Sequence, residues 1–176
     1  MSFVSRLIGA RRRTVAIEED ALEKLRRGDI VAARQLADKA LALAPRAAEV
    51  HHLSARVAIA ERRFDAASAH LQTAVASEPC SSAMYFDLAR ALILGGRSFE
   101  ALDAYQNVLR IEPSNPEALI GLAEASAEIG DLTGARESLL RAKAGATLGG
   151  DTTSRTLRIE ALEARLASPV VDEGTP

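Results

Sequence analysis

The chain has 176 residues, 48% hydrophobic and 26% charged, with a net charge of −2 and a single cysteine. This length suits one domain, or two very small ones, and a fold of this size buries about 70% of its unfolded surface without staples. Lone Cys80 excludes an intrachain disulfide, the near-neutral charge gives no field toward nucleic acid, and no apolar run approaches the roughly 20 residues that cross a bilayer.

Alanine supplies 35 of the 176 residues, while Trp is absent and aromatics make up 3%. Alanine is the best helix former and adds almost no bulk, so the composition predicts closely packed helices. The scarcity of aromatics also removes the stacking platforms that bind single strands. Arginine outnumbers lysine 19 to 3, and no function follows from that ratio.

The first element, residues 1–13, carries Arg6, Arg11, Arg12 and Arg13 and no acid, with Phe3, Val4, Leu7 and Ile8 on one helical face. The order of charge and apolar residues argues against a secretory signal, and the acids soon after Arg12-Arg13 argue against twin-arginine export. Three readings stay open. The segment extends the first helix as a cap, touches a membrane surface or partner through its basic and apolar faces, or is a cleaved organellar presequence.

From residue 14 a period of 34 takes over. Pro45, Pro79 and Pro113 close similar phrases, Leu41–Pro45, Val75–Pro79 and Leu109–Pro113. Small residues keep the same step at Ala21, Ala55, Ala89 and Ala123, and again at Ala33, Ala67, Ala101 and Ala135. Turn signals fall between the two sets at Gly28-Asp29, Gly95-Gly96 and Gly130-Asp131, with Arg62-Arg63 in the second unit. Each unit therefore reads as helix, glycine-type stop, helix and a proline that cannot continue. The repeated alanines let two antiparallel helices approach, and Leu88, Leu92 and Tyr105 fill the gap to the next hairpin. A single hairpin cannot bury its own apolar face, so the units must stack.

The predicted units are 14–47, 48–81, 82–115 and 116–149. The first keeps Ala21, Ala33 and Pro45 but puts Asp20 and Lys24 at apolar positions; the second has His51 at its large position. The third reads Tyr85-x2-Leu88-Ala89-x2-Leu92, Ala101-x3-Tyr105 and Pro113, and Asn115-Pro-Glu-Ala118 opens the fourth, where Thr147 replaces the closing proline. Beyond Gly149-Gly150, the segment 150–167 is predicted to cap the array. Ile159, Leu162 and Leu166 face inward there, and Arg155, Arg158, Glu160, Glu163 and Arg165 form the polar side. Residues 168–176 form an acidic tail, expected to be flexible.

The third unit resembles the tetratricopeptide repeat, whose pattern is Trp-x2-Leu-Gly-x2-Tyr, Ala-x3-Phe, Pro in the same order. The resemblance covers roughly residues 14–149. It implies an all-α, right-handed α-solenoid of about four helix-turn-helix repeats with a C-terminal capping helix. It also implies a concave groove, lined by the first helix of each repeat, that holds a partner's extended peptide or helix. Carried over by position, the groove contains His52, Phe86 and Ile120 in one row, Leu22, Arg56, Arg90 and Glu124 in the next, and Leu25, Ile59, Ile93 and Ala127 in a third. Arg56 and Arg90 would be forks for carboxylates or carbonyls above an apolar floor of Phe86, Ile59 and Ile93, with Phe86 and Ile120 expected to be exposed. Alternatively both arginines are only solvated, or paired with Glu124 or Asp87. One subclass clamps the acidic tail of heat-shock chaperones with groove lysines and asparagines. The matching positions here hold Glu18, Leu22, His52, Ala83 and Asp87, so that ligand is not expected.

Catalytic chemistry is not expected. His51 and His52 are neighbours on a helix and point about 100° apart, so they do not readily share a metal. Cys80 beside Pro79 has no clear basic partner nearby in sequence, and no phosphate loop, paired-Cys spacing or nucleophile elbow occurs. The expected protein is a non-catalytic adaptor or scaffold with no cofactor, metal, nucleic acid or small-molecule substrate. Its partner is a protein segment; peripheral membrane contact through residues 1–13 and homo-oligomers are further possibilities. A soluble chaperone for a secreted or membrane-bound client and a self-associating structural scaffold are the alternatives.

Overall fold

A computed structural model describes residues 3–77, 80–145 and 152–167, of which 3–12, 145 and 152 are described by backbone alone. Among the described residues the chain forms helices and no strand. These are α1 (Phe3–Arg26), α2 (Ile30–Leu43), α3 (Ala48–Ala60), α4 (Phe64–Val75), α5 (Ser82–Leu94), α6 (Ser98–Ile111), α7 (Pro116–Glu128), α8 (Leu132–Gly145) and α9 (Thr152–Ala167). The basic start is continuous with α1, whose backbone is helical from Phe3. The side chains of Phe3, Val4, Arg6, Leu7, Ile8, Arg11 and Arg12 lie outside the described residues, as do Pro79, Thr147, Gly149, Gly150 and the tail.

The sequence period reappears as a period in burial. Ala21, Ala55, Ala89 and Ala123 are fully buried, as are Ala33, Ala67, Ala101 and Ala135. Residues of the second helices follow suit, with Leu71, Tyr105 and Leu139 buried at the same step. The turns keep the period as well. Gly28, Arg62, Gly96 and Gly130 all have positive φ, the left-handed conformation that ends a helix most easily when no Cβ is present. The following amide reaches back five residues, from Asp29 to Lys24 O at 2.9 Å, Arg63 to Ala58 O at 2.8 Å and Asp131 to Ser126 O at 2.9 Å. This closes the helix end and frees Asp29 and Asp131 to begin the next helix, accepting from the amides of Ala32 and Gly134. Asn115 caps α7 through Ala118 N at 3.0 Å, with Pro116 in the first turn where its missing N–H has no helical partner to lose.

The chain divides into two units, one extending to Gly96 and the other starting at Arg97, a boundary inside the third predicted repeat. In the first, α1 packs on α2, α2 on α3, α3 on α4 and α4 on α5, while α3 also touches both α1 and α5. One core cluster gathers Ile17, Ala21, Ala33, Ala37, Ala40, Val50, Leu53 and Val57, with Leu22 and Leu25 packed partly buried against it. Asp20 and Lys24 therefore sit off the packed stripe, and α1 buries Ile17 and Ala21 instead.

In the second unit α6 packs on α7, α7 on α8, and α9 on both α7 and α8. Tyr105 of α6 is 3% exposed, and its ring covers Gly121 of α7 so closely that a Cβ there would lie 2.3 Å from Cζ. The aromatic thus fills the gap to the next hairpin, as its sequence position predicts. The cap contributes Ile159, Leu162 and Leu166 to a core with Leu119, Ala123, Ala135 and Leu139. Arg155 departs from its expected outward position: it is 8% exposed, because four residues before Ile159 it shares the inward face.

Candidate functional site

The first helices of the first unit present one face each. Four- and three-residue steps align Glu18, Leu22 and Leu25 on α1, His52, Arg56 and Ile59 on α3, and Phe86, Arg90 and Ile93 on α5. His52 is fixed across two helices: its Nε2–H donates to Asp87 Oδ2 of α5 at 2.9 Å, and both side chains are largely shielded. The other Asp87 oxygen lies 3.8 Å from Arg90 Nη1, a long contact with half of the arginine still open to solvent. Arg56 is exposed and has no hydrogen bond or ion pair among the described residues. Leu22, Ile59, Phe86 and Ile93 are half-buried. Two exposed guanidinium groups on equivalent turns, beside half-buried apolar side chains, leave donors and apolar area accessible together.

The two candidates from the second unit behave differently. Ile120 is fully buried in the core cluster with Ile159, Leu162 and Leu166, so the expectation of an exposed Ile120 is corrected. The apolar face of α9 covers it. Glu124 is held by Arg158 of α9, whose Nε and Nη2 donate to its carboxylate at 2.9–3.1 Å, while Nη1 donates to Glu117 at 2.7 Å. Arg155 Nε adds a bond to Glu117 at 3.0 Å. Burial disfavours the charge on Arg158, but the bonds and charges of Glu124 and Glu117 outweigh it and raise its pKa above the ordinary value. Sequence reasoning missed this pairing, although the signal was present: Arg158 stands 34 residues beyond Glu124, continuing the row Leu22, Arg56, Arg90, Glu124.

The remaining polar candidates are internal ties. His51 Nε2 lies 3.0 Å from Pro45 O, which can only accept, so a neutral His51 carries its proton there and presents a bare Nδ1. His70 Nδ1 donates to that atom at 3.1 Å, joining α3 to α4. Burial, then the charges of His51 and Arg63, lowers the His70 pKa against the opposing pull of Asp38. Cys80 is half-buried beside Ala48, Ala74 and Met84. Among the described residues no three His, Cys, Asp or Glu side chains are grouped to hold a metal ion, and no helix is long and apolar enough to cross a membrane.

Helices paired as hairpins within each unit, with alanines buried at a 34-residue step along the chain, define a helical-repeat protein of the α-solenoid class. The tetratricopeptide repeat pattern matches residues 24–92 and 99–146, more than half of the chain, and the chain belongs to that family. No curated protein matches it in sequence. Among solved structures it is similar in fold to MamA, at 19% identity over 75% of this chain and 77% of that one, with a TM-score of 0.69. The first tetratricopeptide domain of human RPAP3 superposes with a TM-score of 0.63, at 21% identity over 67% of this chain and 93% of that domain. The second domain of human RPAP3, solved in complex with the HSP70 peptide SGPTIEEVD, gives 0.61 at 16% identity over 66% and 98%.

Proposed function

We propose that this protein is a non-catalytic interaction adaptor or scaffold that receives a peptide or helix of a partner protein on the exposed face of α1, α3 and α5. The observation carrying this reading is the pair Arg56 and Arg90, placed one repeat apart, both exposed and set among half-buried Ile59, Phe86 and Ile93. A guanidinium fork next to apolar area is the composition of a binding hot spot, since its donors match carboxylates and carbonyls while its neighbours exclude water. A cytoplasmic setting fits the lone thiol.

RPAP3's second domain was solved with a peptide whose last four residues are Glu-Glu-Val-Asp. The positions matching the chaperone-tail clamp here are Glu18, Leu22, His52, Ala83 and Asp87, with His52 already bonded to Asp87. A heat-shock tail is therefore not the ligand proposed; Arg56 and Arg90, one turn further along their helices, favour an internal segment bearing an acidic side chain.

The test is affinity capture from source lysate, comparing wild type with Arg56→Glu/Arg90→Glu and identifying co-purifying proteins by mass spectrometry. A partner lost only from the variant, with helicity and melting unchanged, supports this face. Retention of every partner by the variant would move the interface elsewhere on the chain.

A further inference from the structure

Within the first unit a cavity of about 570 Å³ lies between α1 and the start of α3. One wall is a turn of α1 with Val15 and Glu18, another the loop 44–47, and a third the start of α3 with Glu49 and Val50. Its volume is within the range of ligand pockets, roughly 300–1,000 Å³. Most of its surface is carbon, from Val15, Leu43, Pro45 and Val50 among others. Two carboxylates interrupt that surface. Glu18 is half-buried and has no hydrogen bond or ion pair among the described residues; the charges of His52 and Arg56 favour its ionised form, while those of Glu49 and Glu19, near enough to repel it, oppose that. Arg46 also lines the cavity but is exposed on the loop.

We propose that this cavity seats an arginine or lysine side chain of the bound partner segment, its methylene stem against the apolar walls and its cationic head between Glu18 and Glu49. This deepens the reading given under Proposed function and rests on it. The chemistry follows from what each occupant would meet. A neutral apolar side chain would strip more water from the Glu18 carboxylate and return nothing, and an anion would be repelled by both acids. A cation with an aliphatic stem matches wall and head together, and its charge-assisted bonds replace the water that Glu18 loses. The cavity also adjoins the face already described, since the charge of Arg56 acts on Glu18. A segment that lays an acidic residue on Arg56 can therefore place a basic one in the cavity.

The test is a chemical-shift titration of the 15N-labelled full-length chain with N-butylguanidinium, and with pentanol and pentanoate as probes of similar size. Expected is saturable binding of the guanidinium alone, with shifts centred on Val15–Glu18 and Leu43–Val50. A second arm follows the Glu18 side-chain carboxyl carbon, which should titrate at lower pH once the cation is bound. Glu18→Gln/Glu49→Gln should weaken binding about tenfold while the rest of the spectrum stays in place. Pentanol binding as tightly as the cation would make the site simply apolar and overturn the proposal. So would the absence of saturable shifts in these segments, or guanidinium affinity unchanged in the double variant. If these fail while capture still depends on Arg56 and Arg90, only the cavity assignment falls. If the cavity binds the cation but capture ignores both arginines, the proposed face falls instead.

Discussion

Gly121→Ala sets two physical effects against each other with known signs. Gly121 is inside α7, where alanine is the better helix former by about 1 kcal/mol, so propensity alone predicts a more stable protein. Yet a Cβ at this position would lie 2.3 Å from Tyr105 Cζ and 2.5 Å from Cε1. Carbon atoms prefer roughly 3.5–4.0 Å, so more than an ångström of overlap must be relieved. Tyr105 is almost fully buried between α6 and α7 and has little room to retreat. Overpacking of this kind costs about 1–3 kcal/mol, and the severity of the overlap argues for the upper part of that range. The net loss is then about 1–2 kcal/mol, lowering the melting temperature by roughly 2–8 °C for a chain of this length. The assay is thermal and urea unfolding followed by far-UV circular dichroism, which needs no tryptophan. The decisive arm uses a Tyr105→Ala background: with the ring gone, Gly121→Ala should stabilise by about 1 kcal/mol, giving a coupling of about 2–3 kcal/mol between the positions. A Gly121→Ala variant as stable as wild type in the presence of Tyr105 would refute the packing described.

Four further substitutions test local physics. Arg62 takes the left-handed conformation that glycine takes at the three equivalent turns, so Arg62→Gly should stabilise by about 0.5–1 kcal/mol, while Gly28→Ala, whose Cβ meets nothing within 4 Å, should lose about 1 kcal/mol through backbone strain alone. Chemical unfolding of the pair checks this, and two effects of the same sign would contradict it. The Glu18 pKa is raised, first by burial, so the folded state binds its proton more tightly and the cost of its charge is present above the folded pKa and absent below the unfolded one. Glu18→Gln should accordingly be the more stable protein at neutral pH, with the advantage vanishing as pH falls through about 4.5. For His70 the folded pKa is lowered, first by burial, so the unfolded chain takes the proton first and stability drops as pH falls below 6.5. His70→Gln should flatten that part of the stability profile, and an unchanged slope in melting temperature against pH would exclude His70 as its source.

The fold was legible because packing imposes the same requirement at every repeat. A helix crossing that admits only alanine marks positions 21, 55, 89 and 123 in the sequence and leaves them fully buried in the structure. The turns were equally visible, and the one unit lacking glycine, at Arg62, bends in the same way because the surrounding helices dictate the turn. The candidate face was only partly legible. Register places Arg56 and Arg90 on equivalent turns, but it cannot say that α9 buries Ile120 or that Arg158 takes Glu124, since both depend on where a helix outside the repeat settles. Arg155 shows the same limit: an arginine four residues from a buried isoleucine reads as outward by type and as inward by spacing, and Glu117 decided for spacing. His51 read as a packing residue, but its bond to His70 lies outside the repeat pattern because neither histidine recurs at the period.

Two places in the first unit break local rules, and they differ in what surrounds them. Arg62 holds a strained conformation in an exposed turn, with no gain from its side chain visible around it. Glu18 keeps a carboxylate half-buried in an apolar wall where glutamine would be easier to hold, and there the surroundings are a cavity of ligand size with Glu49 at its edge. Binding sites keep groups that folding alone would discard, and Glu18→Gln, compared in stability and in cation binding, decides whether Glu18 is one of them. The end of the row supports the same division of labour. Glu124 and Arg158 neutralise each other to hold the cap, so their charges serve the fold. Among the described residues Arg56 and Glu18 form no hydrogen bond or ion pair, Arg56 acting on Glu18 through charge alone, and the capture and titration experiments decide whether a ligand meets them.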